Sequence, residues 1–203
     1  MEFAELAALT IHDVKNRLHV LAGQAEAAGC AEMLRGTLDA AASLTRLLAW
    51  YKAEKGCLAV DMDARVPEDL LGELAAEIGR QTPLTVKLDV SRAPALSYYD
   101  ENLIRMVLHN ALSNALRYAR REISLSAVDA GQWLEFIVQD DGAGYPAGML
   151  ERPLSMQAFS REGTGLGLHL PGHIAALHEN AGQRGSIELK NEQGAVFCLR
   201  LPQ

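Results

Sequence analysis

Residues 161–170 read REGTGLGLHL, with glycine at every second position from Gly163 through Gly167. Glycine in a helix interior costs about 0.5–1 kcal/mol relative to alanine, so this run opposes any regular element unless the backbone itself has a task. The usual task is to let amides approach an anion. The run leads straight into HLPGHIAALHE, residues 169–179, so it bares amides at the start of a helix, where the dipole favours phosphate.

Upstream, VQDDGAGYP (138–146) ends a strand in two acids, followed by Gly142 and Gly144. The glycines let the backbone turn sharply and leave room for a flat ligand against it. A buried carboxylate there accepts from an exocyclic amine; the plainer reading is a hairpin turn, since Asp-Gly is a common turn dipeptide. In HNALSNALRYA (109–119), Asn110 and Asn114 share one helical face, joined one turn on by Arg117 and Tyr118. Neutral amide oxygens suit magnesium, which keeps several waters and bridges substrate phosphates. Two polar residues on an exposed helix face can equally be just solvated.

The chain has 203 residues, 49% of them hydrophobic, enough for one large domain or two small ones. A net charge of −7 without a block of Lys or Arg argues against a nucleic-acid groove or an anionic membrane surface. Cys30, Cys57 and Cys198 are scattered, odd in number and without CxxC spacing, so they read as apolar fillers in a reducing compartment. The acidic start MEFAELAALT is no signal peptide, and no run of about 18 uncharged apolar residues occurs, so a cytoplasmic protein is expected.

Two textures divide the chain. Ala7, Ile11, Val14, Leu18, Leu21 and Ala25 follow a heptad rhythm up to Gly29, and Leu34, Leu38, Ala41, Thr45 and Leu48 repeat it before Gly56. Residues 1–56 are expected to form an antiparallel helical hairpin. Its apolar faces need a partner, either a second copy, giving a four-helix bundle across a two-fold axis, or the rest of its own chain. Residues 57–66 read as a linker. From Pro67, helices alternate with strands: a helix over 67–81, a strand over 84–90, a long helix over 99–119, strands over 121–128 and 133–140 paired around a turn at 129–131, and a closing hairpin of 185–191 with 195–202. The fold class is therefore α+β, with a mixed sheet covered on one side by helices over 67–203.

HNALSNALRYA, DDGAGYP and GTGLGL, in this order, resemble the N, G1 and G2 boxes of the histidine kinase catalytic and ATP-binding domain, and GSIELKNEQGAVFCLRLP is similar to that family's closing strands. The resemblance spans about residues 65–203. It implies the Bergerat ATP-binding sandwich shared with gyrase, Hsp90 and MutL. It places magnesium on Asn114 with Asn110 beside it and the adenine amine on Asp140. Phosphates then face Arg117 and the amides of Gly163, Thr164, Gly165, Leu166, Gly167 and Leu168.

In the hairpin, IHDVKNRL resembles the H box, in which a phosphoaccepting histidine is followed by an acid. That makes His12 the candidate nucleophile. Neutral imidazole attacks phosphorus competently, and Asp13 can accept its other proton and offset the developing charge. Asn16, one turn on, takes the family position that orients water against a phosphorylated partner. His19 reads as merely exposed. Two departures stand out: the family commonly has proline where this chain has Arg17, and YPAGMLERPLSMQAFSRE is short for an ATP lid, with only Phe159 suggesting its usual phenylalanine motif. Pro171 would interrupt the helix after the glycines, so that helix is expected to start nearer Leu168 than Gly165.

The expectation is a homodimeric histidine kinase core using Mg2+ and ATP, with a response regulator receiver domain as partner. Only eleven residues precede His12, so either a separate sensor protein supplies the signal or the chain is a piece of something longer. The rivals are a histidine phosphotransferase with a vestigial kinase domain, a serine kinase of the anti-sigma type, and an ATP-gated interaction module.

Overall fold

The computed structural model describes residues 3–150 and 166–203, in two compact units, Met1–Leu58 and Ala59–Gln203. The first is a helical hairpin of α1 (Phe3–Ala27) and α2 (Ala31–Glu54). Gly29, at φ +66°, ends α1, and the Cys30 amide returns to the Ala25 carbonyl at 2.9 Å. Among the described residues of the hairpin the buried side chains are alanines, Ala22 and Ala25 on α1 and Ala41 and Ala49 on α2. Of the larger stripe members, Ile11, Leu18, Leu34 and Leu48 are half-buried. Val14, Leu21 and Leu38 are 40%, 46% and 48% exposed, so the expected stripe is only partly covered within the hairpin. Beside it, Asn16, Arg17, Val20, Leu21 and Gln24 line a shallow, mainly apolar groove on α1.

The second unit contains β1 (Asp63–Arg65), α3 (Pro67–Gly79), β2 (Thr85–Arg92), β3 (Ser97–Tyr99), α4 (Glu101–Tyr118), β4 (Glu122–Asp129), β5 (Trp133–Asp140), α5 (Ala147–Leu150), α6 (Leu166–Leu177), β6 (Glu179–Asn180), β7 (Gln183–Arg184), β8 (Ser186–Asn191) and β9 (Ala195–Pro202). Five strands form a mixed sheet in the order β2-β4-β5-β9-β8; β2 and β4 run parallel and the other pairs antiparallel. This is the α+β class expected from the sequence.

Period-2 alternation assembles the core. Leu125, Val138 and Phe197 lie in register across three strands, as do Ala127, Phe136, Leu199 and Ile187 across four, and all are buried. The alternate positions are polar at Ser124 and Ser126 of β4 and at Glu188 and Lys190 of β8, whereas β9 also buries Val196 and Cys198; on β5, Glu135 accepts from Arg200 Nε at 2.8 Å. α4 supplies Leu103, Ile104, Val107, Leu108, Ala111, Leu112 and Ala115 to the core, and Asp100 caps it by accepting the Leu103 amide at 3.0 Å. α3 lies beside it, with Arg105 donating to Glu73 at 2.6 Å.

Three expectations need correction. α6 starts at Leu166, closer to Gly165 than to Leu168, with Pro171 inside it. Pro171 has no amide to give the Gly167 carbonyl one turn earlier, so the helix runs through it with one backbone bond fewer. Cys198 is a buried filler, whereas Cys30 and Cys57 are exposed, because each follows the end of a hairpin helix. Residues 63–65 of the connecting stretch form β1, which pairs with β3.

Candidate functional site

β5 runs out at Asp140 on the buried face of the sheet, where it faces the helical layer. Its Oδ1 accepts two amides, from Gly142 at 2.8 Å and from Ala195 at 3.2 Å. A carboxylate held from two sides in a buried position is a fixed acceptor whose orientation is set before any ligand arrives.

The loop after it is pressed between two neighbours. A Cβ on Gly142 would meet the Tyr118 carbonyl at the end of α4 and lie 2.8 Å from Asp140 Oδ1. Gly144, at φ +79°, would place a Cβ 2.7 Å from the Asn191 side chain. Only glycine fits at either point. From one side Asn191 clasps Tyr145, and from the other Asp141 holds the chain leaving α4: its Oδ1 accepts the amides of Arg120 at 2.7 Å, Arg121 at 3.0 Å and Glu122 at 3.2 Å. These backbone bonds, the one from Arg121 foremost, hold the Asp141 carboxyl below the usual carboxylate range. Tyr145 is half-buried, and burial, with the nearby charge of Asp140, pushes its hydroxyl up to about 12, so it stays a neutral donor.

Asn110 and Asn114 lie one turn apart on α4, both half-buried, followed by exposed Arg117 and Tyr118. The structure therefore brings the asparagine helix and the Asp140 loop together through the Tyr118 carbonyl. Among the described residues no cluster of three His, Cys, Asp or Glu side chains is built to hold a metal. The donor set of two amide oxygens fits a hard cation that draws its remaining ligands from phosphate and water. Gly163, Thr164 and Gly165, with Phe159, lie outside the described residues. Leu166, Gly167 and Leu168 open α6, the two leucine side chains being outside what is described. In the hairpin, His12, Asp13 and Asn16 all belong to α1; Asp13 and Asn16 are exposed, and the His12 side chain lies outside the described residues.

Sequence reasoning missed Asp141, Tyr145 and Asn191. Asp141 carried a signal, as the second acid of the pair before Gly142; Asn191, 46 residues from Tyr145, carried none.

A buried, doubly held aspartate at a strand end, followed by two obligatory glycines and faced by an asparagine-bearing helix, defines an ATP-binding sandwich. Residues 99–203 match the family of histidine kinase-, DNA gyrase B- and HSP90-like ATPases, and the chain belongs to that family. Over 144 residues it is 35% identical to the sensor-type histidine kinase PrrB of Mycobacterium tuberculosis, covering 66% of this chain and 30% of PrrB. The ATP-binding domain of the same PrrB superposes with a TM-score of 0.56 at 31% identity, over 70% of this chain and 97% of that domain. Full-length ShkA, solved with AMPPNP, shares the fold over 99% of this chain and 46% of its own, with a TM-score of 0.74 at 20% identity. The chain spans 30% of the length of PrrB and 24% of that of the sensor protein KdpD of Escherichia coli. No helix among the described residues is long and apolar enough to cross a membrane.

Proposed function

We propose that the chain is a histidine kinase core that autophosphorylates on His12 from Mg-ATP and hands the phosphoryl group to an aspartate of a response regulator receiver domain. The observation that carries this reading is the fixed Asp140 carboxylate beside the helix bearing Asn110 and Asn114. In it, Asp140 accepts from the adenine amine, Gly142 and Gly144 give the base room, and Tyr145 and Asn191 hold that loop in shape. Arg117 and the amides of residues 163–168 face the phosphates.

Asn114, with Asn110, would hold magnesium, which neutralises phosphate charge when bound. A His12 ring nitrogen attacks the γ-phosphorus; the new P–N bond forms as the bond from phosphorus to the β,γ-bridging oxygen breaks, and ADP leaves. Asp13 accepts the proton from the other ring nitrogen, which keeps the developing imidazolium from opposing attack. Asn16, exposed one turn on, serves the reverse task of orienting water against a phosphorylated regulator.

Residues 1–56 act as the dimerisation and phosphotransfer hairpin, 57–66 as the connection and 67–203 as the ATP-binding domain. The exposed Val14, Leu21 and Leu38 support a homodimer through the hairpin. The cytoplasm, where ATP and response regulators reside, is the site of action, with a separate sensor protein or a further segment providing input.

The test is incubation with Mg2+ and γ-labelled ATP, beside His12→Gln and Asn114→Ala. Acid-labile label on the wild type, lost in both variants, is the expected result. Nucleotide binding without label ends the kinase reading and leaves transfer from a phosphorylated regulator to His12 as the alternative.

A further inference from the structure

His178 directly follows α6 and is fully buried. Its Nδ1 lies 2.8 Å from the Ile174 carbonyl, which can only accept, so the ring proton is on Nδ1. Its Nε2 therefore accepts, and it takes the backbone amide of Asp100 at 3.1 Å. Both ring nitrogens are committed to backbone partners that cannot reverse their roles. The neutral tautomer is the one form that satisfies both, since a second proton on Nε2 would set N–H against N–H.

Asp100 stands at a junction. Its Oδ1 caps α4 at the Leu103 amide, and its Oδ2 accepts the amide of Asp61 at 2.9 Å, in the stretch that leads into β1. One imidazole thus ties the end of α6 to the first residue of the α4 cap, and through that cap to the entering chain. None of these three segments shares a motif with the others.

We propose that His178 is a positioning residue for nucleotide binding, its hydrogen bond to the Asp100 amide setting where α4 begins relative to the end of α6. The proposal rests on the ATP-site reading above, but not on phosphoryl transfer. α4 carries Asn110 and Asn114, and α6 opens where the glycine segment ends. A helix of 18 residues is a rod about 27 Å long, so a displacement at its cap reaches both asparagines. Asp100 is the charged group facing the ring; its charge and the Ile174 hydrogen bond favour the imidazolium, but burial outweighs them and lowers the proton affinity of the ring. The link therefore holds at neutral pH and opens in acid, below the ordinary histidine range.

The test measures the affinity of the full chain for a fluorescent ATP analogue with Mg2+, at pH 7.5 and in steps down to the lowest pH at which the chain stays folded, in the wild type, His178→Leu and His178→Gln, with circular dichroism to follow folding. Leucine fills the space but leaves the Asp100 amide without an acceptor; glutamine offers an amide oxygen and does not titrate. At pH 7.5 the leucine variant should bind at least about tenfold more weakly, with glutamine recovering most of the loss. As the pH falls below the ordinary histidine range, the wild type should lose more affinity than the glutamine variant. Wild-type affinity in a folded leucine variant overturns the proposal. If the leucine variant does not fold, an identical fall in the wild type and the glutamine variant overturns it instead. A wild type that binds no analogue sinks the ATP-site reading and this proposal together; one that binds it but forms no phosphohistidine ends the kinase reading alone.

Discussion

Asn191 grips Tyr145 by both of its backbone groups, donating from Nδ2 to the carbonyl at 2.8 Å and accepting the amide on Oδ1 at 2.7 Å. One planar side chain from the end of β8 thus imitates a strand partner for the loop that follows Asp140. Each such bond contributes about 1 kcal/mol net. Asn191→Ala should loosen the loop and weaken Mg-nucleotide binding about five- to thirtyfold, the equivalent of about 1–2 kcal/mol. Asn191→Asp should do at least as badly, because its carboxylate would face the Tyr145 carbonyl without a donor. Titration with a fluorescent nucleotide reads both, and wild-type affinity in Asn191→Ala would show that the loop holds its shape without the clasp.

Gly142 and Gly148 lie six residues apart and differ in one respect that mutation can isolate. A Cβ at 142 has no place to go between the Tyr118 carbonyl and Asp140, whereas at 148 it meets nothing within 4 Å. Gly142→Ala should cost about 1–3 kcal/mol, as overpacking does, and abolish nucleotide binding by displacing the aspartate it adjoins. Gly148→Ala, in the short helix α5, should bind normally and melt no lower than the wild type. Equal behaviour of the two variants in thermal melts and binding would contradict the packing described for this loop.

How much of this was legible in the sequence depended on whether the information was local. The strand alternation in 133–140, the turn at 129–131, the Pro67 start of α3 and the asparagine spacing are all local, and the folded chain keeps them. Asp140 could be singled out because its glycines follow at once. Asn191 and His178 could not, since their partners lie 46 and 78 residues away and neither residue type signals a role by itself. The two-residue strands β6 and β7 were missed for another reason: their turn needs positive φ at Ala181 and Gly182, and alanine is not a residue that advertises a left-handed conformation. The start of α6 is misjudged from sequence because a proline counts against a helix there, while the folded helix carries Pro171 in its interior.

Asp141 gives the site a pH signature in acid. Its carboxyl is held low by the amides of Arg121, Arg120 and Glu122, so between its folded value and the unfolded value of about 3.9 the unfolded chain binds the proton more readily. Its contribution is complete above that range and is lost as pH falls through the folded value. Asp141→Asn keeps an acceptor oxygen but not the charge. Urea midpoints should therefore be lower for Asp141→Asn than for the wild type at pH 7, and the gap should close as pH drops below about 4. A gap that persists unchanged at pH 3 would mean that shape, rather than charge, makes this aspartate useful.

The hairpin buries Ala22, Ala25, Ala41 and Ala49 and leaves several larger apolar residues only partly covered. Leu21 is 46% exposed and lines the groove that also includes Val20, which is 62% exposed. In an isolated hairpin, replacing Leu21 by glutamate would forfeit only the half of the side chain already covered, about 1 kcal/mol. If a second copy covers this face, the same change also buries charge against an apolar partner and forfeits the rest of the leucine burial, about 1 kcal/mol more per chain. Sedimentation equilibrium should accordingly find the wild type dimeric and Leu21→Glu shifted to monomer, with the helical signal in circular dichroism little altered. Wild type and variant sedimenting alike as monomers would remove the hairpin as a dimer interface.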